Sequence, residues 1–537
     1  MILNRGRQHP VLPFMSIFTR SLAPLLVVAA AAVLLPAQAA ASTSSPATIV
    51  RLTAAASCVE PAALTAAGAR QIDAKLRLWR LATGTAESLL PGLDRRGAVA
   101  ATQRERTYQV AATTADPDPL QAEEWWLAQV GVESLTPPGP GVPVTIVDSG
   151  VDVAHPEFAG RPDLSLLNAQ EPAGIGGEHG TSVASVIGAP VNGVGLVGIY
   201  PQAVLRSWDA ARGEGTRLES SDIAAGILAA ARAGRGVINL SLGGDRDLPI
   251  ELAVSEAVAS GSLVVAASGN DGTRGSPIGY PAALPHVTTV AATDRSGAVA
   301  AFSSRSSYVD VAAPGDDIIV ASAIGKNWQS SSGTSFSSPL VAGAAAWIWT
   351  ARPELDAGQV AEVIRRSARD IDQPGRDQAS GFGMLNVQAS LSLPAPSRDP
   401  FEPNDDIEEV SPAGDRNVRN APPLTTVAKR AGRIDARVDT FEDPRDVYRV
   451  WLPAGRRVTF QLSGSADGDL SLHRATAQTV AGRFVATGRL AQATARGLTE
   501  RLVYVNRGAG RWAYLTVRLP ARTVDATYRL TASSARA

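Results

Sequence analysis

Gly333-Thr334-Ser335-Phe336-Ser337-Ser338-Pro339 opens directly into Leu340-Val341-Ala342-Gly343-Ala344-Ala345-Ala346-Trp347. A polar, glycine-led turn thus feeds an apolar, alanine-rich helical pattern. A hydroxyl at such a junction stands at a helix N-terminus, where unpaired N–H groups and the positive dipole end favour negative charge. An oxyanion would be stabilised there if Ser335 attacked a carbonyl. The simpler reading is that Ser335 caps the helix, because serine is a preferred N-cap residue. The rest of the chain decides between a cap and a nucleophile.

Upstream of this stretch, apolar strand-like runs alternate with helical patterns from about residue 120. Residues 142–147, 203–208, 236–240, 263–267 and 287–291 read as strands. Residues 221–233, 249–260, 342–349 and 356–368 read as helices. Nearly continuous apolar strands are expected when helices cover both faces of a parallel sheet. Helices of roughly 10–13 residues suit right-handed crossovers. The expected fold class is therefore α/β, with a mostly parallel sheet and helices on both faces. No Gly-x-Gly-x-x-Gly follows the first strand, so a dinucleotide site is not indicated.

The chain has 537 residues, enough for two or three domains. A hydrophobic share of 45% against 19% charged residues fits a large core rather than disorder. Net charge is -1 and no long basic run occurs, which argues against nucleic acid as a partner. Cys58 is the single cysteine, so no intrachain disulfide can form. Arg20 precedes an apolar run over 25–35, and Ala37-Gln38-Ala39 is A-x-A-like. Met15, read as the start, would leave a compact basic region before the run. The run is about half the length of a spanning helix. A cleaved signal peptide over 1–41 is expected, with no stable membrane insertion and a secreted, extracellular or periplasmic, monomeric product.

Residues 42–115 are alanine- and arginine-rich and stand as a possible pro-segment. Within them, 61–81 reads as a helix with Pro61 in its first turn and Ile72, Leu76, Leu78 and Leu81 on one face. Residues 116–393 form the α/β domain. Residues 394–429 read as a linker, rich in proline and acid. In 430–537, Val458, Phe460 and Leu462 alternate with polar neighbours, as do Leu470 and Leu472. That segment is expected to be a C-terminal all-β sandwich domain.

A serine nucleophile needs a base, and the base an orienting acid. His9 leaves with the signal and His473 falls in the β domain, so His155, His179 and His286 remain. His179 lies in a glycine-flanked turn feeding an apolar helix, whereas His155 and His286 adjoin prolines and read as loop-packing residues. Asp148 ends a buried strand, and sites in open α/β sheets form at the carboxyl ends of strands. Asn270 follows another strand and could donate its amide to an oxyanion, although Asn-Asp-Gly also suits a turn. Each residue has a structural reading of its own. Together they stand at four strand ends or helix starts, in the order Asp, His, Ser.

These residues carry a resemblance. Val147-Asp148-Ser149-Gly150, His179-Gly180-Thr181, Asn239-Leu240-Ser241-Leu242-Gly243-Gly244, Ser268-Gly269-Asn270 and Gly333-Thr334-Ser335 resemble the motifs of the subtilisin-like serine proteases, the subtilase family, over residues 118–393. Sedolisins share the serine motif but carry glutamate where His179 stands and aspartate where Asn270 stands. The resemblance implies a serine endopeptidase acting on protein or peptide substrates through an acyl-enzyme. It implies Ser335 as nucleophile, His179 as general base then acid, and Asp148 as orienting acid. Asn270 and the Ser335 backbone N–H would form the oxyanion hole. Ser241, Leu242 and Gly243 would pair with the substrate backbone as an added strand, with apolar or medium-sized side chains preferred at the residue before the cleaved bond.

Two departures are visible. Ser182 stands where the family often has histidine, and Ser337-Ser338-Pro339-Leu340 where it often has Ala-Thr-Pro-His. Both concern local packing. No cofactor is required for the chemistry. The family's calcium sites find no residue-by-residue match, so structural calcium is expected without a location and metal ligands are unknown. Glu402-Pro403-Asn404-Asp405, Asp446-Val447-Tyr448 and Pro453-Ala454-Gly455 resemble the bacterial pre-peptidase C-terminal domain. The rival to an enzyme is a non-catalytic secreted binding protein on the same fold, which would have no need for all four polar residues.

Overall fold

The computed structural model describes residues 47–53, 56, 59–74, 77–104, 118–169, 178–211, 217–414, 420–441, 443–481, 488–520 and 525–537. The expected signal over 1–41, Cys58 and the region around Ala115 lie outside these residues. The chain divides into two compact units, residues 1–112 and 113–537.

The first unit runs β1 (Thr48–Leu52), α1 (Val59–Ala66), β2 (Arg70–Asp73), β3 (Leu78–Leu81), α2 (Thr83–Arg95) and β4 (Val99–Arg104). Its antiparallel sheet has the order β2-β3-β1-β4, the split βαβ arrangement of ferredoxin-like folds. Val50, Leu52, Leu64, Trp79, Leu81 and Leu93 form its core. The single helix expected over 61–81 is thus corrected to a helix followed by a hairpin. The helix stops at Ala66, and Gly68 turns the chain with φ 77°. Beyond it, Trp79 and Leu81 are buried while Leu78 and Arg80, which alternate with them, are half-buried, which is a strand's period of two and not a helix's. Ile72, assigned to the helical face, is 45% exposed; Leu76 lies outside the described residues.

The second unit begins with the short α3 (Trp125–Gln129) and builds a seven-stranded sheet. Its strands are β5 (Val144–Asp148), β6 (Leu164–Leu166), β7 (Leu205–Asp209), β8 (Val237–Leu240), β9 (Leu263–Ala267), β10 (Val287–Thr293) and β11 (Val311–Pro314). The order is β11-β10-β9-β8-β5-β7-β6, and every pairing is parallel. Successive strand residues enter opposite cores. Ile146 and Val265 pack in the layer that holds α4 (Glu178–Gly188), α7 (Thr334–Ala351) and α8 (Ala357–Ser367). Val147, Val264 and Ala266 pack with α5 (Ser220–Arg232) and α6 (Leu248–Ala259). Burial on both faces explains why these strands read as apolar runs without alternation. A β12 (Ile318–Ser322)–β13 (Asn327–Ser331) hairpin precedes α7, and α9 (Val387–Ser392) packs near the end of the domain.

Within the segment expected as a linker, the stretch around 404–410 is packed. Asn404 is fully buried, and α10 (Ile407–Val410) is fixed by a capping box from Asp406 and Glu409. The remainder is β14 (Gly432–Asp439), β15 (Arg445–Leu452), β16 (Arg456–Gly464), β17 (Asp469–Arg474), β18 (Arg489–Ala493), β19 (Thr499–Asn506), β20 (Arg511–Arg518) and β21 (Asp525–Arg536). These form two four-stranded antiparallel sheets, β14-β21-β16-β19 and β15-β20-β17-β18. Val458, Phe460, Leu462, Leu470 and Leu472 all face the shared core, as their alternation predicts. Arg437 on β14 pairs with Glu362 on α8 at 2.9 Å and so docks the sandwich on the α/β domain. Burial pushes Glu362 up, but Arg365, Arg437 and Arg366 outweigh it and hold the carboxyl down at about 2. No helix of the described residues is long and apolar enough to cross a membrane.

Candidate active site

The predicted polar residues meet at the carboxyl edge of the parallel sheet. Asp148 ends β5 at 1% exposure, with the backbone N–H of Ser149 donating to its Oδ1 at 2.7 Å. His179 is the second residue of α4. Its Nδ1 lies 2.8 Å from Asp148 Oδ1 and 3.0 Å from Oδ2. A carboxylate only accepts, so Nδ1 carries the proton and Nε2 is left as the acceptor of the neutral ring. The Asp148 charge raises the His179 pKa above its ordinary value, against the opposing pull of burial.

Glycine makes the approach of these two residues possible. A Cβ at Gly180 would overlap the carbonyl of Gly150, so the residue after the histidine has to be side-chain-free for α4 to start beside β5. Glu178, just before it, accepts from Ser322 Oγ at 2.7 Å and from the Ile324 backbone N–H at 2.8 Å. Those bonds tie the first turn of α4 to the end of the β12 strand.

Ser335 is not the cap of its helix. Gly333 holds that position, without a side-chain cap, and Ser335 falls in the first turn of α7. A first-turn N–H has no intrahelical acceptor. Ser335 Oγ donates to the Ser241 carbonyl at 3.3 Å, and Ser241 Oγ donates to the Ser335 carbonyl at 2.8 Å. Asn239 and Ser338 extend this network: Ser338 Oγ donates to Asn239 Oδ1 at 2.7 Å, and Asn239 Nδ2 to Ser241 Oγ at 3.0 Å. The hydroxyl is therefore held on Ser241 rather than on His179. The His179 ring stands 6.1 Å from the Phe336 ring, centroid to centroid, so the imidazole lies beside the first turn of α7.

Asn270 follows β9. Its Oδ1 accepts from both the backbone N–H and the Oγ1 of Thr334, each at 2.9 Å. With the oxygen so occupied, the amide NH2 is turned away from Thr334. A Cβ added at Gly333 would stand 3.3 Å from Asn270 Nδ2 and 3.8 Å from the Ser335 backbone nitrogen. Two donors from different elements thus border the space that Gly333 leaves open. Such a pair can hold a developing oxyanion, and an imidazole beside a hydroxyl can move its proton.

The groove has two halves of 580 and 500 Å³ sharing residues 241–245 and Tyr280 as a common wall. Asp148 and His179 line one half; Asn270, Thr334 and Ser335 line the other. Sequence reading had not identified Leu218, Ile223 and Ile250, which give the first half its apolar wall beside Leu242. They come from three separate stretches, and no local motif announces them. The Gly333-Thr334-Ser335 motif names Thr334 without its role, which is to hold the Asn270 oxygen.

The histidines set aside on sequence are indeed packed into loops. His155 is fully buried, with Nε2 on the Asn327 carbonyl at 3.1 Å and Nδ1 accepting from the Glu157 N–H at 3.1 Å. His286 lies with Glu402 and Asp405, away from the groove. Of the two departures, Ser182 Oγ donates to the Ala321 carbonyl at 2.8 Å and Ser338 is satisfied by Asn239, whereas Ser337 Oγ is buried without a hydrogen-bond partner.

Residues 139–383 match the model of the Subtilase family. Subtilisin of Bacillus pumilus is 36% identical over 256 residues, which are 47% of this chain and 91% of that protein. Subtilisin E of Bacillus subtilis (strain 168) is 37% identical over 256 residues. That match spans 47% of this chain but 66% of the relative's length. Among solved structures, a protease of Pseudoalteromonas arctica is similar at 26% identity and a TM-score of 0.44, over 52% of this chain and 99% of that one.

Proposed function

The chain belongs to the subtilase family, and on that premise we propose that it is a secreted serine endopeptidase hydrolysing peptide bonds through an acyl-enzyme. The observation that carries the reading is the His179 Nδ1–Asp148 pair at 2.8 Å, set in the same groove as a first-turn Ser335. Ser335 Oγ attacks the scissile carbonyl while His179 Nε2 takes its proton. Asp148 keeps the proton of the neutral ring on Nδ1 and stabilises the imidazolium that forms. The oxyanion is received by Asn270 Nδ2 and the Ser335 backbone N–H, at the positive end of α7. His179 then protonates the leaving amine, and water repeats the sequence on the acyl-enzyme.

Substrate binding and activation are linked in this reading. The segment Ser241-Leu242-Gly243 pairs with the substrate backbone as an added strand. The Ser241 carbonyl that now holds Ser335 Oγ is then taken by a substrate N–H. The hydroxyl is released to rotate toward His179. Leu218, Ile223, Leu242 and Ile250 favour apolar side chains in the half-groove they line. Export by the 1–41 signal and removal of 42–115 as a pro-segment belong to the same proposal. N-terminal sequencing of the exported protein reads both, with a start near Ala115 expected and one near Ala40 contrary.

Casein hydrolysis tests the nucleophile. Ser335→Ala is expected to leave only the catalysis of the oxyanion site and binding, about 10³–10⁴-fold over water. Full activity in that variant would remove Ser335 from the mechanism.

A further inference from the structure

Outside the groove, acidic side chains gather where the sandwich meets the α/β domain. Asp399 and Glu402 come from the connecting segment, and Asp443 and Asp446 from the turn before β15 and its start. One oxygen of each lies within 4.8 Å of every other. Oxygens bound to one calcium at 2.3–2.6 Å stand at most about 5 Å apart. The spacing is therefore that of a single coordination shell.

Two further observations point to a ligand. Asp443 is 7% exposed, and its Oδ1 is buried without a hydrogen-bond partner. Asn404 is fully buried, its amide donates to Asp446, and its Oδ1 likewise has no donor. A buried acceptor left without a donor is costly, and a buried carboxylate more so. The neighbouring cations are committed elsewhere. The Arg437 guanidinium pairs with Glu362, Asp439 and Asp525, and Arg445 Nε donates to the Asp405 carbonyl. His286 Nε2 is shared between Glu402 at 3.1 Å and Asp405 at 3.0 Å. Burial first, and mutual repulsion with it, pushes Asp443 and Asp446 well up, Asp399 to about 6 and Glu402 to about 8. A cavity of 230 Å³ bordered by Asp399, Glu402 and Asp443 adjoins the cluster.

We propose that Asp399, Glu402, Asp443 and Asp446 bind one divalent cation of the calcium class at the seat of the sandwich. The ligand set is all oxygen and anionic, which suits a hard cation of variable geometry rather than zinc or copper. The ion ties the connecting segment to β15. Through Glu402 and His286 it also reaches the loop before β10, so that one ion links the sandwich to the α/β domain. The site is independent of the proteolytic reading.

The full chain carrying Ser335→Ala, which cannot digest itself on that reading, is stripped with chelator and titrated with Tb3+, then with Ca2+. Tyr528 donates to Asp446 and lies 2.6 Å from the Tyr448 hydroxyl, so tyrosine excitation should sensitise terbium luminescence there. Calcium should displace the signal and raise Tm. Asp443→Asn with Asp446→Asn should abolish the luminescence, lose one bound calcium per chain in equilibrium dialysis, and remove the calcium-dependent rise in Tm. Should that double variant not fold, Glu402→Gln read by the same luminescence decides, with loss of signal expected. Unchanged calcium stoichiometry and luminescence in the folded variant would overturn the site. So would a Tm raised equally with and without calcium, because relief of charge repulsion would then be the only role of the cluster.

Discussion

His179 and His286 each face carboxylates, and they do different work. His179 meets one buried carboxylate through Nδ1 and remains 37% exposed at its side chain. Its other nitrogen borders a groove that also holds a first-turn serine. His286 gives Nε2 to two carboxylates at once, is 15% exposed, and lines the cavity at the seat of the sandwich rather than the groove that holds Ser335. Burial opposes its charge, but the bonds from Asp405 and Glu402 outweigh burial and hold its pKa well above the ordinary 6.5. A histidine–carboxylate contact therefore does not identify a site. What separates the two is the groove that His179 lines and the serine that shares it.

Asp148→Asn should cut deepest into this contrast. Loss of the orienting charge lowers kcat by about 10⁴-fold. It also shifts the acid limb of the kcat/KM profile to lower pH, because Asp148 is the main cause of the raised His179 pKa. In the parent, activity should rise with pH through a value above 6.5, as the ring must be neutral to accept a proton. A variant with an unmoved acid limb would separate the Asp148 contact from the reaction. Asn270→Ala should cost about 10²–10³-fold in kcat with little change in KM, since the donor acts on the transition state.

His286→Asn should leave kcat/KM unchanged. Asparagine tolerates the positive φ of 59° that this position holds. Stability should fall by about 3–5 kcal/mol, the usual effect of removing one partner from a buried pair. The sign follows from linkage: a raised histidine pKa stabilises the fold fully below the unfolded value of 6.5 and loses that contribution as pH rises through the folded value. The Tm gap between parent and variant should therefore be widest below pH 6.5 and close at alkaline pH. A loss of activity matching that of Asp148→Asn would erase the distinction between the two histidines.

The parallel sheet was legible because both its faces are buried, so each strand is an apolar run bounded by glycine and polar turns. The sandwich was legible for the opposite reason: one buried face leaves the alternation of Val458, Phe460 and Leu462 in view. The first unit misled because Ile72, Leu78 and Leu81 satisfy a helical spacing by accident. The break at Gly68 and the period of two around Trp79 decide otherwise. At the site, Asp148, His179, Asn270 and Ser335 could be read because each sits at an element end with its own local motif. The apolar wall of Leu218, Ile223 and Ile250, and the gathering of Asp399, Glu402, Asp443 and Asp446, are products of chain crossing that no single stretch encodes. The packed course of 394–410 was hidden in the same way, since its acidic and proline-rich composition is also that of a solvated linker.

The central claim is that Ser335 is a nucleophile activated by His179, and labelling with a fluorophosphonate tests it most directly. Peptide mapping of the labelled full chain should place the adduct on Ser335 Oγ, and His179→Ala should suppress labelling while leaving the fold intact by circular dichroism. An unlabelled chain, or an adduct on Ser335 that forms as fast without His179, would contradict the account.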